Sequence, residues 1–237
     1  MKIAIFDFDG TLFPIETIPF LIKQYSKLGY SKFKQVRMIA SLIPDFLMYK
    51  LEKNPDKERF RHKAVYKFLS LFEDMAKEEV DSFFKQNVEV IAGLLDEEVV
   101  AEVVKRKEEG YHTVLLSGCF DMLLTPLGEA LGFDEIVGTQ LVFTAYDNQK
   151  VRMISSTPIH IISGENKLSA AKGLGYGEDV DWNESIGYAD SSYDQPMLEL
   201  VGHKVAVNPD EKLRIIAEKK QWTVMLTKKG MDKVKYS

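Results

Sequence analysis

Ile3-Ala4-Ile5-Phe6-Asp7-Phe8-Asp9-Gly10-Thr11-Leu12 joins a short apolar run to two carboxylates one residue apart. Four consecutive apolar residues that end in a glycine-bearing turn read as a buried strand. Ionised groups are costly to leave without partners at such a place, so Asp7 and Asp9 point to a ligand. A divalent cation is the natural one, and hard oxygen donors at this density suit magnesium. The rival explanation is an acidic loop that caps a helix. The strand-like run, the Asp-x-Asp spacing, Gly10 and Thr11 together argue against it.

The same strand-then-polar-turn pattern recurs outward from this stretch. Residues 2–6, 111–116, 185–188 and 204–207 read as buried strands, and 96–109, 122–131, 167–174, 195–201 and 210–221 as helices. Strands alternating with helices imply parallel strands joined by crossovers, hence an α/β, doubly wound (Rossmann-like) core. Ligands bind such sheets at the carboxyl ends of the strands, so the residues just after each strand are expected to converge. Residues 14–95 break the rhythm. They are helical in pattern at 16–28, 31–43, 44–51, 57–72 and 77–91, with Phe60, Val65, Phe68, Leu69 and Phe72 at helix spacing. The expected organisation is therefore a core domain from 1–13 and 96–237, with an inserted helical-bundle cap domain from 14–95. Residues 135–157 alternate and carry an Asp147-Asn148 turn, which suggests a strand and a hairpin.

Three further segments carry polar groups at strand or helix ends. Ser117-Gly118 offers a hydroxyl and an unobstructed amide, a pair that donates well to phosphate oxygens, although Ser-Gly is also a common turn. In Ser163-Gly164-Glu165-Asn166-Lys167, Asn166 is expected to cap a helix and Lys167 to sit in its first turn. A cation there opposes the helix dipole, which makes sense if it reaches an anion. Gly187-Tyr188-Ala189-Asp190 leads to Asp194, two carboxylates four residues apart after a strand.

Bulk properties exclude several classes. A net charge of −5 argues against a broad nucleic-acid surface. The 45% hydrophobic and 28% charged content is that of a folded globular chain. Cys119 is the only cysteine and His62, His112, His160 and His203 are scattered, so neither a disulfide framework nor a cysteine–histidine metal cluster is expected. No apolar stretch reaches about 18 residues, and Asp7 and Asp9 interrupt any signal-peptide pattern. No stable membrane insertion is expected, and the cytoplasm is the default location. Three decoys are set aside. Cys119 lacks a following arginine as far as residue 131 and is assigned to packing. Gly173-Leu174-Gly175-Tyr176-Gly177 follows a helix and reads as a helix stop and loop. Residues 39–49 are apolar enough for a lipid-facing helix, but Pro44 and Asp45 interrupt them, so packing inside the cap is expected.

In order, Asp-x-Asp, Ser, Lys and Asp-x-x-x-Asp resemble the signature of the haloacid-dehalogenase-like (HAD) superfamily of hydrolases, and the resemblance runs through the whole chain. The helical insert after the first motif, and the tail from Val207-Asn208-Pro209 to Trp222, look like the phosphoserine-phosphatase subgroup. This resemblance implies a magnesium-dependent phosphatase that hydrolyses a small phosphomonoester through an aspartyl-phosphate on Asp7. By it, Asp9 protonates the leaving alkoxide and then deprotonates water. The Asp7 carboxylate, the Asp9 carbonyl, Asp190 and Asp194 hold Mg2+, the last directly or through water. Ser117, the Gly118 amide and Lys167 bind the transferring oxygens. Glu16 stands where phosphoserine phosphatases carry a substrate-recognising glutamate, and a helix N-terminal role competes for it. Tyr193 replaces the asparagine typical of those enzymes. Phosphoserine and sugar, histidinol or lipid-head-group phosphates all stay open as the small-molecule partner, with Arg37, Arg59 and Arg61 available to meet an anionic part. Oligomeric state is not encoded in these signals. The alternative is a phosphoryl-accepting or phosphate-binding regulatory domain without efficient turnover. Receivers of that kind are about half this length, lack a helical lid and place their paired acids consecutively. An inert relative would have lost Asp7 or Asp9.

Overall fold

The computed structural model describes residues 1–52, 56–146, 150–153, 158–174 and 179–233. Its strands are β1 (Ile3–Phe6), β2 (His112–Phe120), β3 (Glu135–Thr139), β4 (Phe143–Tyr146), β5 (Lys150–Met153), β6 (Ile186–Ala189), β7 (His203–Val207) and β8 (Thr223–Met225). All four residues of β1 are buried, which is why it reads as an unbroken apolar run and not as an alternation. It lies inside a six-stranded sheet of order β3-β2-β1-β6-β7-β8, in which every neighbour is parallel. Phe6 pairs with Leu115 on one side and Tyr188 on the other. The chain builds outward from β1 through β2 and β3, then crosses to β6 and continues the other way. The strand order therefore reverses between β1 and β6, the place in such sheets where ligands bind at the carboxyl edge.

Successive residues of β1 serve opposite faces. Ile3 and Ile5 join Val114 and Leu116 in a core with Ala171, Met197, Leu198, Leu213 and Ala217. Those come from helices α7 (Gly164–Lys172), α8 (Gln195–Leu200) and α9 (Glu211–Lys220). On the other face the Phe6 ring stacks on Tyr188 at 4.3 Å between centroids and meets Phe133 edge-on at 5.7 Å. The Tyr188 hydroxyl receives Arg106 Nε at 2.7 Å and donates to Glu102 Oε2 at 2.7 Å. Burial, and then the bond to Glu102, push its pKa above the usual tyrosine range. Arg106 and Glu102 stand on α5 (Glu97–Glu108), which with α6 (Asp121–Leu131) completes the crossovers beside β2; α10 (Lys228–Lys233) follows the edge strand β8.

By their contacts, Met1–Glu16, Val88–Thr139 and Ile162–Ser237 form one unit, and Thr17–Asn87 with Gln140–Ile161 form a second. The second contains α1 (Thr17–Lys27), α2 (Lys32–Leu51), α3 (Lys57–Leu69) and most of α4 (Lys77–Ala92), inserted between β1 and β2 in sequence. Its interior is aromatic: Tyr25, Phe72 and Phe83 meet at 4.9–6.0 Å, and the Tyr25 hydroxyl donates to the Leu71 carbonyl at 3.1 Å.

Several elements differ from the sequence reading. The antiparallel β4–β5 hairpin groups with the helices and not with segment 96–237. Backbone bonds explain this: Asp74 N donates to Met153 O at 3.2 Å and Met153 N to Met75 O at 3.1 Å. Helix α2 runs unbroken through Pro44, where two helices were expected. Proline removes one amide donor, and the second half is held to α3 by the Lys63–Asp45 pair and by the Tyr49 ring stacked on Phe60 at 5.2 Å. Strand β2 continues to Phe120, with a register shift against β3 between Leu116 and Phe120, so Ser117-Gly118 is a bulge and not a turn. Ser163, not Asn166, is the N-cap residue of α7. Strand β8, three residues long, lacks any legible pattern. Most of the apolar side chains of 39–49 do not pack inward: Ile39, Ile43, Phe46, Leu47 and Met48 are exposed. The Asp147-Asn148 turn and residues 175–177 of the glycine loop lie outside the described residues. None of the described helices is long and apolar enough to cross a membrane.

Tyr188→Phe keeps the ring stack and deletes both hydroxyl bonds to charged partners. It is expected to lower the unfolding free energy by about 1–2 kcal/mol, since Arg106 and Glu102 still pair with each other. Denaturant unfolding with an unchanged midpoint would contradict this.

Candidate active site

Asp7 is placed by the strand it follows. Its amide donates to the Tyr188 carbonyl at 2.9 Å, so the backbone ladder extends one residue past β1. The residue is only 5% exposed. The chain then folds back on itself: Gly10 N donates to Phe13 O at 2.7 Å, and Thr11 N and Phe13 N both donate to Phe8 O, at 3.2 and 2.9 Å. Phe8, fully buried and stacked on Phe13 at 5.6 Å, anchors this loop between the two acids. Asp9 is half-buried and bridges to Phe13. Gly10 has a φ of +79°, and a Cβ there would lie 1.9 Å from Asp190 Oδ2. Only glycine combines that backbone with room for the carboxylate.

Asp190 follows β6, and Asp194 closes a one-turn 3-10 helix, Ser192–Asp194. This loop is held from outside by Asp210. Its amide donates to the Asp190 carbonyl at 2.8 Å, and its Oδ2 accepts Ser192 N and Oγ at 3.0 and 3.1 Å. Asp7, Asp190 and Asp194 each present an oxygen within 4.8 Å of the others. Into this cluster reaches Lys167 from α7, 2% exposed, with Nζ 2.6 Å from Asp7 Oδ1 and 2.8 Å from Asp194 Oδ1. Burial alone would lower its pKa, but the Asp194 and Asp7 carboxylates reverse that and hold it above the ordinary lysine value. Three carboxylates against one ammonium leave these four groups with two formal negative charges in a buried place. A divalent oxygen-loving cation fits that donor set.

Ser117 is buried in the β2 bulge, and its hydroxyl oxygen accepts Cys119 N at 3.3 Å, leaving its proton to donate. Because Phe6 pairs with Leu115, Ser117 and Gly118 lie beyond the end of β1, on the same sheet edge as Asp7. Cys119 itself is buried, as its packing role requires. Thr139, absent from the sequence reading, ties the bulge in place: its hydroxyl donates to the Gly118 carbonyl at 2.9 Å and accepts Ile162 N at 3.2 Å. Nothing in its surroundings in sequence marks it out, since threonine at a strand end is ordinary. Asp210 was legible only as a helix start, and it does cap α9 through Leu213 N at 2.7 Å. The structure thus brings Asp7, Lys167, Asp190 and Asp194 together and sets Ser117 and Gly118 on their edge. Glu16 lies half-buried directly before α1. In the helical unit, Arg37 is exposed and Arg59 is paired with Glu52.

Comparison with known proteins adds a family. The model of the haloacid dehalogenase-like hydrolases matches residues 4–199. A histidinol-phosphatase from Neisseria meningitidis is 32% identical over 119 residues, 49% of this chain and 52% of that protein. The chain spans about half the length of the curated relatives it matches. Among solved structures, a Bordetella pertussis protein of unknown function superposes with a TM-score of 0.74 at 22% identity, covering 94% of this chain and 97% of that one. A substrate-bound phosphoserine phosphatase superposes with a TM-score of 0.62 at 20% identity, covering 99% and 97%. These two likenesses concern the fold.

Gly10→Ala forces either the Asp190 carboxylate or the loop to move. Strain at a left-handed position is worth about 1–2 kcal/mol, so a lower melting temperature and a displaced Asp190 in a crystal structure of the variant are expected. A variant with wild-type stability and an unmoved Asp190 would refute the packing argument.

Proposed function

The chain belongs to the haloacid dehalogenase-like hydrolases, and from that premise we propose that it is a magnesium-dependent phosphatase acting on a small phosphomonoester through a phosphorylated Asp7. The observation that carries this is the Lys167 ammonium held between Asp7 and Asp194 at a strand edge. It offsets part of the acid gathered in this buried place and puts positive charge where a phosphate must approach.

Asp7 Oδ attacks phosphorus and the P–O bond to the substrate alcohol breaks, with Asp9 giving its proton to the leaving alkoxide. Covalent capture splits one difficult displacement into two easier ones. Water then attacks phosphorus and passes its proton to Asp9. The acyl-phosphate bond breaks, and inorganic phosphate leaves with Asp7 restored. Asp9 suits the proton-carrying role because it is half-buried, within reach of water, while Asp7 is enclosed. Lys167, the Ser117 hydroxyl and the Gly118 amide hold the transferring oxygens as charge redistributes. Asp7, Asp190, Asp194 and the Asp9 carbonyl would hold Mg2+, which when bound offsets the repulsion between carboxylates and phosphate.

The helical unit takes the role of the substrate-selecting cap; Arg37 in it and Glu16, the residue before it in sequence, are the candidate substrate contacts. The named activities of the matched relatives support a small phosphate ester of an alcohol as the substrate class. Turnover of a phosphate-ester panel with and without magnesium tests the reading. Activity is expected only with the metal. Asp7→Asn should reduce kcat by about 10⁴-fold or more with an unchanged unfolding transition, and Asp9→Asn by about 10²- to 10³-fold. Substantial metal-dependent turnover by Asp7→Asn would remove it as nucleophile.

A further inference from the structure

Helix α2 is packed with its faces reversed. The residues that turn inward recur at helical spacing as Gln35, Met38, Leu42, Asp45 and Tyr49, and most of them are polar. Gln35 Nε2 donates to the Ile22 carbonyl at 2.6 Å, Asp45 pairs with Lys63, and Tyr49 stacks on Phe60. The residues left in solvent are Phe33, Val36, Ile39, Ile43, Leu47 and Leu51, with the two ends 76% and 84% exposed. At 100° per residue they form a continuous stripe about 120° wide, where a surface helix normally carries its charges. Soluble monomers rarely leave a contiguous apolar patch of this kind open.

The charges on α2 say what covers the stripe. Both of the acids here, Asp45 on the helix and Glu52 at its C-cap, are neutralised by Lys63 and Arg59 of α3. Lys32, Lys34, Arg37 and Lys50 have no carboxylate within ion-pair distance among the described residues; Lys50 lies over the Phe46 ring instead. The helix therefore offers an apolar stripe with two unneutralised lysines, Lys32 and Lys50, at its ends and Arg37 beside one edge. A second copy of the chain fits poorly. Parallel stripes set Lys32 on Lys32 and Lys50 on Lys50, and antiparallel stripes set one copy's Lys32 near the other's Lys50, so like charges meet in either direction. An anionic lipid surface answers both features at once. Lysine stems run along the apolar layer while their ammonium groups reach the phosphates.

We propose that α2 is an interfacial helix that docks this protein on an anionic phospholipid bilayer, lying in the plane of the headgroups with its apolar stripe in the headgroup–acyl boundary. It is about 30 Å long, and none of the described helices is long and apolar enough to span a bilayer, so it is suited to lying along the surface. This inference is independent of the phosphatase reading, and its test involves no turnover.

The test is co-sedimentation of the full chain with vesicles of phosphatidylcholine alone and of equimolar phosphatidylcholine and phosphatidylglycerol. Binding to the anionic vesicles is expected, weaker at high salt and marginal on phosphatidylcholine. Lys32→Gln and Lys50→Gln should each lower the partition coefficient about fivefold. Ile43→Asp with Leu47→Asp should abolish binding while leaving the unfolding transition in place, because both side chains are exposed. Absence of binding to anionic vesicles at low salt overturns the proposal. So does equal, salt-insensitive binding to both compositions, or a dimer in sedimentation equilibrium that the Ile43→Asp, Leu47→Asp pair dissociates.

Discussion

A single buried ammonium holds together parts of the chain that the fold brings in from far apart. Lys167 bonds Asp7, 160 residues earlier, and Asp194 in the loop after β6. Charges taken out of water must find one another with good geometry or the structure loses stability. The parallel sheet meets that demand by fixing where each chain segment leaves it. Phe6 pairs with both Leu115 and Tyr188, so Asp7, the Ser117-Gly118 bulge of β2 and the loop after β6 lie along one sheet edge. Lys167 neutralises only part of the acid gathered there. The remaining negative charge makes a donor set that a divalent cation would fit.

Much of the site was legible because its residues violate ordinary packing. Carboxylates at Asp7 and Asp190 directly after apolar strands have no reason to be there except a ligand or a partner. Lys167 near a helix N-terminus opposes the dipole, and its bonds to Asp7 and Asp194 supply the reason. The supporting residues were not legible, because their visible roles are common. Thr139 looks like any strand-end threonine, and Asp210 like any N-cap, which it also is. Their hydrogen bonds to Gly118 and to the Asp190–Ser192 segment depend on folded proximity. The hairpin's attachment to the helical unit likewise rests on backbone bonds at Asp74 and Met75, which carry no side-chain signature.

Helix α2 shows a different limit. Periodicity identifies helical segments, and it marked 31–43 and 44–51 as helical where one helix, Lys32–Leu51, runs. It does not say which face turns inward. That choice was made here by tertiary partners, Lys63 and Phe60 on α3 and the Ile22 carbonyl on α1. Pro44 is tolerated for the same reason, since side-chain contacts beyond it outweigh one missing amide.

The most direct test of the central claim is to find the phosphoryl group on the protein. The full chain is mixed with magnesium and a phosphate ester, quenched in acid, reduced with borohydride to fix any acyl-phosphate, and mapped by peptide mass spectrometry. The account predicts modification at Asp7 alone, in the peptide that contains Phe6 and Phe8. Turnover without that modification, or the label on any other side chain, would contradict it.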